Sequence, residues 1–407
     1  MNSATSEDSR TETARIPLKQ GPRRAMIVTG EASGDLHGGN LIRAARKLDP
    51  DLSFFGVGGR CMAEAGCEIL IPGEELSVMG LVEVIGHFPV IYRAFQRLKG
   101  ILHGTGRPDL LITIDFPDFN LRLAKEAKKA GIPVLHYVSP QVWAWRRGRV
   151  KKIARVVDRL AAILPFEPDY YRGEDIEVEY VGNPLVDEAE VVVGRDDFLR
   201  RLGIDPSDPV VGLFPGSRRN EVRFILETIL DAAEAILQAK PRTRFLLPVA
   251  SSLSDALFEA KLAERSLPVT LIHDSLYDTA NACDAVLCVS GTVTLQTALV
   301  GTPMAILYKM APLTYAIGRR LVKVENVGLA NIVAGKRVVK EFIQEEATPA
   351  ALAAEILQIL DDGDYNAKIR RGLALIQEKI GAPGCSERVA TMASEMSRGL
   401  VRRKRSS

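Results

Sequence analysis

Two rhythms of apolar residues alternate along this chain. Short β-branched runs, closed by Gly, Pro or Ser, give way to stretches with apolar residues three and four apart. That alternation predicts βαβ units around parallel sheets. Strands are expected near residues 25–29, 53–57, 110–114, 134–138, 161–164 and 178–181 in the first half. In the second half they are expected near 210–214, 245–248, 269–272, 285–289 and 304–307. A polar, Pro-containing stretch at 183–209 holds the expected linker. Helical spacing dominates beyond Pro349, at 350–360, 367–379 and 385–400, and the last of these is expected to pack back onto the first lobe. The fold class that follows is α/β, with two open sheets whose strand-end loops face one cleft.

A length of 407 residues exceeds one ordinary core. The expected layout is a disordered tail at 1–22, a first Rossmann-like domain at 23–190, a second at 205–365, C-terminal helices at 366–400 and a basic tail at 401–407. The first twenty residues are polar and lack an apolar h-region, so they do not read as a signal peptide. No apolar run approaches the roughly 20 residues that span a bilayer. The five cysteines form no C-x-x-C pair and no zinc spacing, which suits reduced thiols in a cytosolic protein.

Each half carries a strand–loop–helix cradle for an anion. The first runs from the strand at 25–29 into Gly30-Glu31-Ala32-Ser33-Gly34-Asp35, the second from 285–289 into Ser290-Gly291-Thr292. Unpaired N–H groups at a helix start can hold phosphate or sugar oxygens. Two such cradles facing each other describe an enzyme that joins two substrates. Asp115 closes the apolar run Leu110–Ile114, at the carboxyl end of a buried strand, where poor solvation lifts a carboxyl toward a useful general base. Its plainer reading is a helix cap, a part that Asp118 fits better because it directly precedes the helical spacing of 119–129. Glu31 would repel phosphate, so it reads as an acceptor for a sugar hydroxyl or an orienting group; Ser33 reads first as a cap. Arg218, with Arg219, follows Pro215-Gly216-Ser217 and brings fixed positive charge suited to a departing diphosphate. Its plainer reading is a surface pair with Glu221. Gln296 falls near the first turn of its helix, within reach of a ribose hydroxyl, although Leu295 and Leu299 also mark a packed helix start. Asn331 reads from its neighbours as a turn residue.

Leu81, Val84, Ile85, Phe88, Ile91, Tyr92, Phe95 and Leu98 form an apolar stripe, with a break expected near Gly86 and a restart at Pro89. Such a stripe is usually core. Here Arg93, Arg97 and Lys99 interleave it, and Trp143 and Trp145 stand beside Arg146, Arg147, Arg149, Lys151, Lys152 and Arg155. That mixture suits an anionic lipid surface for part of the stripe. A net charge of +2 argues against nucleic acid as a partner. His37, His87, His103, His136 and His273 form no ligand pair, so neither a metal site nor a cofactor is expected.

Several stretches together resemble the lipid-A-disaccharide synthase family, bacterial glycosyltransferases of GT-B fold. They are Gly30–Asp35, Val78-Met79-Gly80-Leu81-Val82-Glu83-Val84, Ile114-Asp115-Phe116-Pro117-Asp118-Phe119-Asn120 and His136-Tyr137-Val138-Ser139-Pro140-Gln141-Val142-Trp143-Ala144-Trp145. Leu164-Pro165-Phe166-Glu167, Pro215-Gly216-Ser217-Arg218, Ser290-Gly291-Thr292 and Asn331 complete the set, in order over about residues 25 to 380. The resemblance implies two Rossmann-like parallel-sheet domains facing a central cleft, the first for the acceptor and the membrane, the second for a UDP donor. It implies a metal-independent inverting transfer from UDP-2,3-diacylglucosamine to 2,3-diacylglucosamine 1-phosphate (lipid X). Asp115 would be the base. Glu31, Ser33, Gly34, Arg218, Ser290, Gly291, Thr292, Gln296 and Asn331 would bind substrate. Val84, Ile85, Phe88, Ile91, Tyr92 and Phe95 would meet acyl chains or the membrane. The protein would be cytoplasmic and peripheral on the inner-membrane surface, with a second copy of the chain as a further expected partner.

Two positions depart from the family pattern: Gln296 stands where Glu is frequent, and Asn183 where His is frequent. The rival readings are another UDP-N-acetylglucosamine enzyme of this fold, either a cell-wall transferase or an epimerase, and a non-catalytic nucleotide-sugar or lipid-binding protein. The apolar stripe separates the first rival, since a soluble-sugar epimerase needs no acyl-binding face. Loss of turnover on Asp115→Asn separates the second.

Overall fold

A computed structural model describes residues 19–76, 81–143, 148–310, 315 and 325–400, the side chains of 81–88 and 220 excepted. Its first sheet contains β1 (Arg23–Val28), β2 (Leu52–Gly58), β3 (Glu68–Pro72), β4 (Leu110–Ile114), β5 (Val134–Tyr137), β6 (Arg159–Ala162) and β7 (Glu177–Tyr180). These lie in the order β3-β2-β1-β4-β5-β6-β7. The second sheet contains β8 (Val210–Phe214), β9 (Arg244–Pro248), β10 (Val269–Ile272), β11 (Ala285–Val289), β12 (Met304–Tyr308) and β13 (Glu341–Ile343), in the order β10-β9-β8-β11-β12-β13. Every pairing is parallel. Central strands such as β4 and β11 are buried throughout, as helices on both faces of a parallel sheet require. Neither β3 nor β13 was expected. Both are edge strands, one ending in Pro72 with Glu68 at its start, the other only three residues long.

Alternation along the strands sorts the first lobe into two layers. Ile27, Ile112, Leu135 and Tyr137 pack with the helix Ala32–Leu48 and the final helix Cys385–Ser397. Met26, Val28, Leu111 and Val134 pack with Leu98, Leu123 and Ile153, which come from the helices Leu81–His103, Pro117–Lys129 and Arg149–Val156. The helix Leu81–His103 runs through Pro89 without the expected break.

The C-terminal helices do not act as one unit. The helix Gly363–Ile380 belongs to the second lobe, where Ile369, Leu373, Ile376 and Ile380 are buried and Gln377 donates to the carbonyls of Ala298 and Leu299. Only Cys385–Ser397 crosses to the first lobe, because its apolar face (Cys385, Val389, Met392, Ala393, Met396) is what completes that core. The second lobe also begins before residue 205, since Phe198 and Leu199 of the helix Arg195–Arg201 are buried in its core.

The two chain crossings are fastened to each other. Tyr180 Oη donates to the Ile380 carbonyl at 2.7 Å, and Arg388 Nε donates to the Val181 carbonyl at 2.7 Å. Asp187 accepts from the N–H groups of Gly384 (2.7 Å) and Ser386 (3.2 Å) at the start of the final helix. At the far end, buried Asp49 accepts from Arg23 (2.7 Å) and Ser394 (2.5 Å). Burial alone would push the Asp49 carboxyl up, but the bonds from Ser394, Arg23 and Arg398 hold it below its ordinary range.

Candidate functional site

The strand orders decide which loops meet. In the first sheet the order reverses between β1 and β4; in the second it reverses between β8 and β11. Open α/β sheets bind ligands outside the carboxyl ends of strands at such a reversal. The loop after β1 carries Glu31, Ser33 and Gly34, and the loop after β4 opens with Asp115. The loop after β8 carries Arg218, and the loop after β11 carries Ser290, Gly291 and Thr292. The sequence-derived candidates therefore divide into one set at each reversal.

Asp115 sits in a strained turn. Asp115 (φ 44°), Phe116 (φ 47°) and Val138 (φ 68°) all adopt positive φ without being glycine. A β-branched residue there is a genuine outlier, and strain of this kind gathers at active sites. Neighbouring contacts hold the turn in place. Asn120 Nδ2 donates to the carbonyls of Asp115 (2.8 Å), Ile114 (3.2 Å) and Val28 (3.4 Å), tying the ends of β4 and β1 together. The Phe116 ring stacks on Phe119 at 5.5 Å, and a Cβ on Gly30 would lie 2.8 Å from it, so Gly30 is needed for that seat. Pro117 then starts the helix, as proline favours. Asp118 is consequently a first-turn residue and not the cap expected of it; Phe116 holds the cap position.

Burial pushes the Asp115 carboxyl up to about 6, and the negative charge of Glu31 adds to the rise. The Phe116 N–H opposes it. Asp115 borders a cavity of about 220 Å³ shared with Pro117, Val138, Ser139, Pro140, Gln141, Val142 and Arg149. The wall from Ser139 to Val142 is braced from behind. Ser139 Oγ meets the Tyr171 hydroxyl at 2.9 Å, and buried Glu167 accepts from the N–H groups of Ile163 (3.1 Å) and Leu164 (3.0 Å). Burial raises Glu167 to about 8, despite those two N–H groups and the indole of Trp143.

In the first cradle, Glu31 occupies the position before the helix Ala32–Leu48 and makes no side-chain cap bond. Ser33 is an exposed residue of the first turn and not its cap. Gly34 is buried against Thr29, whose hydroxyl a Cβ would overlap.

On the other lobe, Arg218 precedes the helix Arg219–Ala239, is exposed, and pairs with Glu221 at 3.0 Å. The plain pairing is thus present, in a loop that also faces β11. Gly291 precedes the helix Thr292–Val300 with open space where a Cβ would stand, and Thr292 is exposed. Ser290 Oγ donates to the Val327 carbonyl at 2.7 Å. Gln296 partners the Tyr277 hydroxyl. Asn331 departs from the substrate-binding expectation: it is fully buried, its Nδ2 donates to Val339 and Glu341 at 2.8 Å each, and its Oδ1 accepts from Val338 and Val339. Every hydrogen-bonding position it has is taken by protein. Glu341 in turn accepts from the N–H groups of Val327 and Gly328, so Asn331 reaches Ser290 only through that network. Asn183 caps the helix Pro184–Glu188 and donates to the Ile163 carbonyl, a role asparagine fills by itself.

Of the stripe, the side chains of Val84, Ile85 and Phe88 lie outside the described residues, as do residues 144–147 of the basic segment. Ile91 and Phe95 lean on the first-lobe core, while Tyr92 is 54% exposed. Among the described residues no helix is long and apolar enough to cross a membrane.

Sequence reasoning did not single out Phe116, Asn120, Val138 or Glu341. For Asn120 the signal was present: an amide three residues after a proline that must start a helix faces the strand end. The strain at Val138 left no mark in the sequence.

Residues 25–393 match the family described as lipid-A-disaccharide synthetase. The lipid-A-disaccharide synthase of Syntrophotalea carbinolica is 65% identical over 94% of this chain and 98% of its own. That of Geobacter metallireducens is 53% identical over 92% and 97%. Among solved structures, a UDP-N-acetylglucosamine 2-epimerase of Listeria monocytogenes aligns with a TM-score of 0.64 at 14% identity, over 94% of this chain and 99% of that one. MurG of Acinetobacter baumannii aligns at 0.56 and 14%, over 91% and 99%. At such identities these two speak to the fold alone.

Proposed function

The chain belongs to the lipid-A-disaccharide synthetase family, and from that premise we propose that Asp115 is the general base of its glycosyl transfer. The fold is GT-B, and the reaction joins UDP-2,3-diacylglucosamine to 2,3-diacylglucosamine 1-phosphate, giving lipid A disaccharide 1-phosphate and UDP. Asp115 takes the proton from the acceptor 6-hydroxyl as that oxygen attacks the donor's anomeric carbon. The bond from that carbon to the diphosphate breaks on the opposite face, and UDP leaves with its electron pair. A base is most effective when its pKa lies near working pH, and the desolvated carboxyl at about 6 meets that need. This is the observation that carries the reading.

The second lobe receives the leaving group. Negative charge growing on UDP faces Arg218 and the N-termini of the helices Arg219–Ala239 and Thr292–Val300. Ser290, Gly291 and Thr292 offer main-chain N–H groups and hydroxyls to the diphosphate, and Gln296 reaches the ribose by turning from Tyr277. Glu31 and Ser33 orient the acceptor, and Gly34 lets the first cradle pack closely. Asn331 keeps Glu341 and the turn at Val327 in register behind Ser290.

The helix Leu81–His103 docks on the inner-membrane surface, with exposed Tyr92 and the flanking Arg93 and Arg97 against anionic head groups. Purified protein mixed with UDP-diacylglucosamine and lipid X tests the whole reading. Release of UDP with formation of a disaccharide is expected, and Asp115→Asn is expected to lower kcat by about 10² to 10⁴. Consumption of UDP-N-acetylglucosamine alone would favour the epimerase or cell-wall reading.

A further inference from the structure

We infer that Arg149 is the anion ligand of the acceptor pocket and takes the phosphate monoester of the incoming sugar. The inference rests on the transferase reading above and names a contact within it. Arg149 opens the helix Arg149–Val156 and lines the same cavity as Asp115. A space of about 220 Å³ has room for a single sugar ring. The two groups thus border the space in which one ring must present a hydroxyl to a carboxylate and an anion elsewhere.

The pairing of Arg149 makes it available. Its side chain is only 17% exposed, whereas that of Asp118, its partner at 2.6 Å, is 80% exposed. A guanidinium turned inward whose carboxylate partner stands in water can trade that partner for a ligand, because the screened carboxylate regains its full hydration on release. Phosphate offers the guanidinium fork a bidentate, doubly charged acceptor. Asp115 is no competitor, since the groups that act on its carboxyl are Glu31 and the Phe116 N–H. The donor also carries phosphates, but its diphosphate faces Arg218 and the cradle after β11 on the opposite lobe. The phosphate that reaches Arg149 is therefore the acceptor's.

The test is a double cycle in kcat/KM, with wild type and Arg149→Gln assayed on the phosphorylated acceptor and on 2,3-diacylglucosamine lacking the phosphate. Arg149→Gln is expected to lose about 10- to 100-fold on the phosphorylated acceptor, the size of a charge-assisted hydrogen bond. The donor KM is expected to stay unchanged, and removing the phosphate as well is expected to add little further loss. Arg149→Lys recovers part of the loss. Asp118→Asn frees the guanidinium and lowers the KM for the phosphorylated acceptor up to about fivefold. Additive losses, equal wild-type rates on both acceptors, a raised donor KM, or an Asp118→Asn variant as damaged as Arg149→Gln would each overturn the assignment. A wild-type enzyme that makes no disaccharide from either acceptor would instead refute the transferase reading itself.

Discussion

Asp115→Asn is expected to stabilise the protein while removing its activity. Lifting a carboxyl from 3.8 to about 6 places a cost of roughly 3 kcal/mol on carrying its charge in the fold. The sign follows from proton binding. The folded chain holds this proton more tightly than the unfolded chain does, so the group favours folding at low pH. That advantage is lost as pH rises from about 4 through about 6. Asparagine has no proton to lose, so the gap between variant and wild type opens across this window and is full by about pH 8. Asp115 keeps some contact with solvent, which leaves about 1–2 kcal/mol of the effect. In a lobe of this size that corresponds to a rise in Tm of about 3–6 °C. The substitution suits the backbone, because asparagine tolerates φ of 44° and its Oδ1 can still accept from Phe116. Trp143 is buried in the cluster that also holds the second-lobe core, so its fluorescence follows the melting of that packing. Melts at about pH 4 and about pH 8 supply the comparison. A variant no more stable than wild type at the higher pH, or a gap of equal size at both, would show that Asp115 is not a desolvated charge.

The same carboxyl predicts that kcat/KM climbs with pH through about 6 and then levels, and that Glu31→Gln moves this limb to lower pH by removing a like charge; an unmoved limb would separate Glu31 from Asp115. Asn331→Ala strands the half-buried N–H of Val338, the buried N–H of Val339 and one bond to Glu341, so unfolding in urea is expected to show a loss of about 2–4 kcal/mol, with no loss sinking the network. Arg218→Ala removes only a surface ion pair, so its Tm is expected to stay within the small range of such pairs while kcat falls about 10² or more; a normal kcat would remove Arg218 from the leaving-group site.

Much of the fold could be read from apolar rhythm because the central strands are covered on both faces. Val-Val-Gly-Leu-Phe at β8 and Ala-Val-Leu-Cys-Val at β11 are continuous apolar runs that admit few other readings. The edges were silent: Glu341-Phe342-Ile343 is too short to show a period, and its glutamate faces inward to three N–H donors. The candidate site was legible just beyond strand ends, as with Asp115 after β4 and Arg218 in the loop after β8. It was misread where a side chain's partners come from distant loops. Nothing near Asn331 in sequence reveals that Val338, Val339 and Glu341 use up its amide. Asp118 was misassigned because Pro117 takes the first helical position and moves the cap to Phe116, a residue no capping preference would select.

The dependence of the first lobe on Cys385–Ser397 bears on how the protein is made. Domains usually fold in the order in which the ribosome delivers them. Here the amino-terminal half cannot finish its hydrophobic layer until the last segment of the chain has emerged, since Val389, Met392 and Met396 are part of that layer. The nascent lobe must wait with Ile27, Ile112 and Tyr137 under an incomplete roof while the carboxy-terminal half is built. A stop codon placed before residue 385 would thus cripple the end of the molecule that was translated first.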